Sequence, residues 1–286
     1  MMAATSRGEL MVVATPLGNL GDLSPRALEV LTRADAVYCE DTRHSRTLFS
    51  ANNVSSSGRL HALHEHNEAS QCQEIIDRIS AGQLVAMISD AGTPGISDPG
   101  TRVVAAVVAA GLRVSTAPGP SAVIAALSIS GLPTEKFCME GFLPRKAGER
   151  AELYELWAKE SRTIIFYESP QRLCTSLGEL AERFPERSVA VVRELTKLHE
   201  EVIRGSLADV VAELTGREIL GEIVVVLGGA PPAPSADASA VRAALLDQLQ
   251  HGHSIRDAVN EVVQSLGVGH RETYALALTL RDQASH

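Results

Sequence analysis

Short apolar runs alternate with longer segments of helical period along the first 130 residues. "LMVVA" (10–14), "DAVYC" (35–39), "QLVAMI" (83–88) and "RVSTA" (113–117) have the length and β-branched content of buried strands. The segment "SPRALEVLTRA" shows a helix start, with Ser24 as N-cap, Pro25 at the first helical position, and Ala27, Leu28 and Leu31 on one face. This alternation predicts an α/β lobe over residues 8–131 with a largely parallel sheet, and ligands in such sheets bind at loops beyond the carboxyl ends of the strands.

A second α/β unit is predicted over residues 132–229, opening near "GLPTEKFCMEGFLPRK". It holds the helical "ERAELYELWAKE" and "SPQRLCTSLGELAERF" and the strands "TIIFYE", "SVAVVREL", "EEVIRGSL" and "EIVVVLGG". A cleft between two such lobes is a natural ligand site. "APPAPSADA" (230–238) reads as a Pro/Ala-rich linker, and residues 237–286 read as three short helices, with Ser254 capping the second and Gly267 to Gly269 separating it from the third.

Composition narrows the class. With 286 residues, 45% of them hydrophobic and 21% charged, the chain is long enough for two compact domains. No apolar stretch reaches the roughly 18 residues of a membrane span, and "MMAATSRGEL" has no apolar run behind its single Arg, so a soluble cytoplasmic protein without a membrane partner is expected. Cys39, Cys72, Cys138 and Cys174 stand far apart and form no C-x-x-C pair, which suits reduced thiols and argues against a cysteine metal site. A net charge of -9 excludes a generally basic coat, so any RNA contact must use local basic patches.

Four loops follow the four strands of the first lobe: "TPLGNLGD" (15–22), "EDTRHS" (40–45), "SDAGTPGISDPG" (89–100) and "PGPSA" (118–122). In a parallel sheet they converge on one edge, where small residues let backbone approach a ligand. The first is neither G-x-G-x-x-G nor G-x-x-x-x-G-K-[ST], so the usual dinucleotide and P-loop readings lose their support. Asp90 and Asp98 suit either a ligand role or Asx-turn and helix-capping roles.

Taken as a set, these loops resemble the tetrapyrrole methylase superfamily, which binds S-adenosylmethionine between two α/β lobes. More closely, "TPLGNLGDLSPRALEVL", "EDTRHS", "LHEHNE", "SDAGTPGISDPG", "PGPSA", "GLPTEKFCMEGFLPRK", "FYESPQRL" and "RELTKLHEE" resemble the ribosomal RNA small subunit methyltransferase I family, from about Leu10 to Gly229. The resemblance implies a two-lobed tetrapyrrole-methylase-like fold with the cofactor cleft between the lobes, plus a small C-terminal helical domain. It implies transfer of the sulfonium methyl of S-adenosylmethionine, without a metal, to the ribose 2′-hydroxyl of a cytidine in the decoding region of 16S rRNA, in free RNA or the small ribosomal subunit. It further implies a homodimer. Two rival readings share the fold: a small-molecule tetrapyrrole methylase of the precorrin type, and a non-catalytic ribosome-assembly factor.

In the terms of that family the cofactor would be wrapped by Leu17, Asp90, Gly92, Thr93, Ile96, Ser121 and Ala122, with Tyr167 closing from the second lobe. A weakly acidic hydroxyl calls for a base or for a cation that stabilises the developing alkoxide. Candidates are Glu40 and Asp41 from the first lobe and Arg193, Glu194 and Lys197 from the second; the alternative is that these groups pair as salt bridges between the lobes. Arg43, His44, Arg145 and Lys146 are candidate RNA contacts, Arg150 shares the same expected exposed loop, and Phe142, Tyr167 and Trp157 are the aromatics available for stacking. His61, His64 and His66 lack the helical H-E-x-x-H spacing of a zinc site and suit a segment facing the cleft or the RNA, or ordinary loop packing. In residues 237–286, which resemble a helix-turn-helix-like appendage, four arginines stand against six acidic residues, so a strong basic recognition helix is absent and a packing or dimer role competes evenly.

Overall fold

A computed structural model describes residues 8–231 and 237–284. The chain divides into two compact units, with the boundary in the sequence between Gly229 and Ala230.

The first unit opens with a five-stranded sheet of β1 (Glu9–Val13), β2 (Ala36–Cys39), β3 (Leu60–Ala62), β4 (Leu84–Ile88) and β5 (Arg113–Ala117), in the order β3-β2-β4-β1-β5. Every pairing in it is parallel. Strand β1 shows why the sheet needs cover on both sides: Leu10 faces one apolar cluster while Met11 and Val13 face another. From β1 the chain steps outward to β2 and β3, then returns through β4 to β5. Right-handed crossovers therefore place α1 (Pro25–Arg33) and α2 (Thr42–Ala51) on one face, and α3 (Glu68–Ser80) and α4 (Thr101–Ala109) on the other. Where the direction reverses, between the adjacent β1 and β4, a crevice opens beyond the carboxyl ends of the strands.

Local chemistry follows the sequence at α1, where the Ser24 side chain accepts a 3.1 Å bond from the Ala27 N–H and Pro25 opens the first turn. At α4 it does not. The cap of α4 comes from 32 residues away: one carboxylate oxygen of the buried Glu68 accepts from the N–H groups of Gly100 (3.0 Å), Arg102 (2.7 Å) and Val103 (3.3 Å). The helix leaves these donors without partners, and its positive end favours the anion. Gly100, at φ 133°, leaves no room for a side chain, because a Cβ would lie 2.7 Å from Met87 Cε.

The second lobe holds β6 (Phe137–Phe142), β7 (Thr163–Glu168), β8 (Ser188–Arg193), β9 (Glu201–Ser206) and β10 (Ile223–Leu227), in the order β6-β7-β10-β8-β9. Only β6 and β7 run parallel; the other pairs are antiparallel. α6 (Ala147–Trp157), α7 (Pro170–Ala181) and α8 (Leu207–Leu214) cover one face through Trp157, Leu173, Leu177 and Val210. Full burial of each such side chain contributes about 1.5–3 kcal/mol. The other face receives α5 (Ala122–Ser130), whose Val123, Ala126 and Leu127 pack on Ile165, Val192 and Val224. Helix α5 thus leaves the end of the first sheet and seats on the second, which fixes the lobes against each other.

Trp157 lies in this core, 2% exposed between the rings of Tyr154 and Phe166, and so is withdrawn as a base-stacking residue. Arg150 is corrected likewise. It is 8% exposed, pairs through two bonds with Glu179 (2.8 and 2.6 Å), and holds the Pro144 and Arg145 carbonyls, which orders the loop it was expected to leave exposed.

The second unit contains α9 (Ala238–Gln250), α10 (Ile255–Leu266) and α11 (His270–Ala284) around Leu245, Val259, Val262 and Leu280. Ser254 accepts from the Asp257 N–H at 3.2 Å, and Gly267 ends α10 at φ 63°.

Replacing Glu68 with Ala leaves three helix donors buried or half-buried without an acceptor. A loss of about 2–3 kcal/mol in urea denaturation is expected; a change below ~0.5 kcal/mol would remove Glu68 as the cap of α4.

Candidate active site

The crevice beyond β1, β4 and β5 is closed on its far side by the second lobe, leaving a cavity of about 360 Å³. That is the size of a small-molecule site, roughly 300–1,000 Å³. Its first-lobe wall is stitched together by backbone. Thr15 and Gly92 exchange N–H···O bonds of 2.9 and 3.0 Å, the Thr15 hydroxyl donates to Ser89 O (3.1 Å), and the Thr93 hydroxyl donates to Pro120 O (3.0 Å). The first, third and fourth loops are thereby one rigid surface. Gly92 stands at φ +79° with the Leu17 Cδ2 methyl 3.2 Å from where a Cβ would be, so glycine is required there for both backbone and space.

Of the residues expected around a cofactor, Leu17, Gly92, Thr93, Ile96, Ser121, Ala122 and Tyr167 line the cavity. Asp90 is not among them. Its Oδ1 accepts a 3.1 Å bond from the Asp41 N–H, tying the third loop to the second. The carboxylate of that loop that does line the cavity is Asp98, for which the sequence suited either a turn or a ligand role.

The expected catalytic groups divide. Asp41 is the N-cap of α2, accepting from the Arg43 N–H (2.7 Å) and pairing with the Arg43 guanidinium; these bonds hold its carboxyl well below the usual range. Glu40 is half-buried, and burial followed by the charges of Asp90 and Asp41 pushes its carboxyl up. Arg193 reaches Glu201 (3.0 Å) and Leu220 O (3.0 Å) within the second lobe, outside the cavity lining.

Glu194 and Lys197 are joined. Glu194 Oε1 accepts from Lys197 Nζ (2.9 Å) and the Glu222 N–H (3.0 Å), and Gly221 leaves the space that this carboxyl fills. Lys197 Nζ also reaches Glu222 Oε2 at 3.0 Å, and its stem crosses to the first lobe, over Gly18, where a Cβ would collide with it. Burial pulls the ammonium's pKa down, but the bonds to Glu194 and Glu222 outweigh that and leave it raised. Lys197 is therefore a fixed cation and not a base.

The second-lobe wall carries Phe142 and Tyr167, whose ring centres are 5.3 Å apart. Burial, then the charge of Asp98, raises the Tyr167 phenol. Glu168 also borders the cavity, but it is 2% exposed and saturated: Arg172 donates two bonds (2.7 and 2.9 Å), Ser176 one (2.7 Å) and the Ser169 N–H another (2.7 Å). Within "FYESPQRL", Tyr167 faces the cavity while Glu168 and Arg172 form an internal clamp, a division that only the i,i+4 spacing hinted at.

Arg43, His44, Arg145 and Lys146 are exposed. The Arg43–Asp41 and Lys146–Glu149 pairs are both 2.8 Å long and their cations more than 80% exposed, so they are weak enough to exchange partners. His61 stacks on Tyr38 with ring centres 5.0 Å apart. Among the described residues no group of three or more His, Cys, Asp or Glu is arranged to hold a metal ion.

This architecture, with its crevice between a parallel and a mixed sheet, is that of the tetrapyrrole methylases. The family model for tetrapyrrole (corrin/porphyrin) methylases matches residues 9–211. Among solved structures, cobalt precorrin-4 methyltransferase superposes with a TM-score of 0.57 at 19% identity, covering 80% of this chain and 97% of that one. Diphthine synthase gives 0.57 at 14% identity, covering 77% and 90%. These establish the fold alone.

Within that class, the chain belongs to the ribosomal RNA small subunit methyltransferase I family. It is 47% identical to the member so named from Mycobacterium tuberculosis (strain CDC 1551 / Oshkosh), covering 96% of both chains. It is 41% identical to the one from Synechocystis sp. (strain ATCC 27184 / PCC 6803 / Kazusa), covering 96% of this chain and 98% of that one.

Methyltransferases of this family use S-adenosylmethionine, and the cavity fits it. Leu17, Ile96 and Val224 offer apolar wall, and Gly92 lets backbone approach closely. Helix α5 opens at Ser121 and Ala122 in the lining, and the Ser121 side chain bonds none of its N–H groups, so that positive helix end suits a carboxylate.

Gly92→Ala places a methyl against Leu17 and forces a left-handed Ala. The expected result is cofactor binding weakened by about tenfold, or ~1.4 kcal/mol, in calorimetric titration. Unchanged affinity would show that the cofactor binds elsewhere.

Proposed function

We propose that this chain methylates the ribose 2′-hydroxyl of a cytidine in the decoding region of 16S rRNA, with the small ribosomal subunit as substrate and S-adenosylmethionine as donor. The observation that carries this reading is identity of 47% over 96% of the chain to a relative named ribosomal RNA small subunit methyltransferase I. The reading includes a homodimer acting in the cytoplasm, and its two α/β lobes are residues 8–131 and 132–229, followed by the helical residues 237–286.

When bound, S-adenosylmethionine supplies a sulfonium-activated methyl group. The chain's part is then positioning, because an in-line displacement needs the hydroxyl oxygen held roughly 3–3.5 Å from the carbon it attacks. The stitched loops around Gly92, Thr93, Ser121 and Ala122 hold the donor, and Tyr167 with Phe142 closes the wall and excludes water. Lys197, fixed between Glu194 and Glu222, presents a cation beside the cleft for the developing alkoxide. Glu194 holds that ammonium through its bond to Lys197, while Asp41 pairs with Arg43, Arg193 pairs with Glu201, and Glu40 follows the end of β2. Outside it, Arg43, His44, Arg145 and Lys146 contact phosphates, which orients the RNA without reading its sequence.

Labelled methyl from S-adenosylmethionine should pass to small subunits lacking this modification, and nuclease mapping should find it on a cytidine 2′-oxygen. No label despite measurable cofactor binding would favour a tetrapyrrole substrate or an assembly-factor role. Lys197→Ala should lower turnover by at least about tenfold while cofactor affinity stays within about threefold, because the interaction acts only in the transition state; normal turnover would remove Lys197 from the mechanism.

A further inference from the structure

The mouth of the cavity carries an aromatic ring that the fold leaves mostly in water. Phe142 is 63% exposed, whereas Tyr167 beside it is half-buried and Leu195, Ile223 and Val224, farther along the same lining, are buried.

The backbone departs from a regular strand to put the ring there. In the parallel pair of β6 and β7, Met139 stands opposite Ile165 and Phe142 opposite Tyr167, so β6 takes three residue steps where β7 takes two. Side chains alternate between the two faces of a strand. A regular β6 would therefore turn Phe142 to the side of Cys138, which packs into the core beneath α6 and α7. The extra residue returns it to the side of Met139 and Tyr167, next to α5, in the way a β-bulge re-aims a side chain beside a site. Gly141 makes the bulge at φ +71°, a left-handed conformation that favours glycine. A Cβ on Gly141 would lie 3.8 Å from Ser97 Oγ, which sets the bulge against the loop that follows β4.

Beyond the ring the chain is fixed. Leu143, 3% exposed, is buried in the core on the helix side, and its carbonyl accepts a 2.8 Å bond from Arg172. The Pro144 and Arg145 carbonyls accept from Arg150 at 3.3 and 2.8 Å. The exposed side chains of Arg145 and Lys146 follow directly.

We propose that Phe142 is the surface on which the base of the target nucleotide stacks. The assignment rests on the methyltransferase reading above and adds to it the residue that holds the acceptor nucleotide. To bring its 2′-oxygen roughly 3–3.5 Å from the methyl carbon, inside a crevice between two lobes, that nucleotide must leave its stacked neighbours. Its base then lacks a stacking partner, and an aromatic face at the mouth replaces the lost contact. The Phe142 ring meets Tyr167 on one side, with centres 5.3 Å apart and planes tilted by 51°, and its exposure leaves the other side open to a base. Arg145 and Lys146, on the same ordered stretch of chain, take phosphates of the same RNA segment. Ring and loop are in place before binding, so little ordering entropy opposes the stack.

The experiment uses the full chain with Phe142→Leu and Phe142→Tyr, assayed on small subunits lacking the modification, with affinity for S-adenosylmethionine followed by calorimetry. Leucine keeps an apolar wall and removes the ring; tyrosine keeps the ring. For Phe142→Leu the expected fall in kcat/KM for the subunit is about 5- to 150-fold, with cofactor affinity within about threefold of wild type. Phe142→Tyr should return kcat/KM to within about threefold of wild type, and both variants should melt near the wild-type temperature because the side chain is mostly exposed. A smaller fall in the Leu variant overturns the assignment, since the ring is then not needed. So does a fall that tyrosine fails to restore. A loss of rate matched by an equal loss of cofactor affinity also overturns it, making Phe142 part of the cofactor's wall. These three outcomes leave the methyltransferase reading intact, whereas no transfer by the wild-type chain would overturn both.

Discussion

Much of the first lobe hangs on one carboxylate. Glu68, at the start of α3, is buried and binds three N–H groups at the start of α4, across the sheet-edge loop that follows β4. That loop runs through Ser89 to Gly100 and has few side chains of its own to pack. Glu68 anchors its far end, while the paired Thr15 and Gly92 anchor its near end. Between these anchors, Thr93 and Ile96 stay facing the cavity with Asp98, and the wall meets a cofactor already formed, so little ordering entropy opposes binding. The same bonds explain how a loop of glycines and prolines avoids being mobile, since nearly every sharp turn in it is held by a neighbour.

Charge imposes a second constraint. A chain of net charge -9 that gathers Glu40, Asp41, Asp90 and Asp98 around the ends of β2 and β4 repels RNA at long range. Locally, only Asp98 of these four lines the crevice, with Arg43 exposed on α2 and Lys146 exposed beyond β6. Screening shortens the reach of the net charge to about 8 Å at physiological salt. On the reading proposed above, close phosphate contacts by a few exposed cations outweigh the global field, which a large substrate meets mainly at its contact face.

The readable parts of the fold were those where one residue's chemistry acts on its own neighbours. Ser24 and Ser254 cap the helices they precede, Gly267 ends α10, and the apolar runs ending at Ala14, Cys39, Ile88 and Ala117 became strands of one parallel sheet. Strand β3 escaped notice because it is three residues long, "LHA", at a sheet edge, and carries a histidine where an apolar pattern would be sought. The cap from Glu68, the burial of Arg150 on Glu179 and the sequestration of Trp157 depend on partners 29 to 35 residues away, or on packing that periodicity does not encode. At the site, seven of the eight expected cofactor residues line the cavity because the loops carrying them converge. Asp90 and Asp98 share a loop and a chemistry, and only the turn geometry decides which of them faces inward.

Backbone strain marks the same place from another direction. Among described residues four other than glycine adopt positive φ, and three of them, Ser97, Glu194 and Thr196, flank cavity-lining residues. Each such conformation costs about 1–3 kcal/mol and persists only where the surroundings over-determine it. Around Ser97 the determinants are the Glu68 bond to Gly100 and the turn at Gly95. For Glu194 they are Lys197 and the Glu222 N–H, in the space Gly221 leaves. Strain on both walls of one cavity, each side held by its own charged anchor, is what a site needs when opposed groups must stand at fixed separation. Relaxing either wall would let a carboxylate or an ammonium swing toward solvent, where water would screen it and the reacting atoms would lose their alignment.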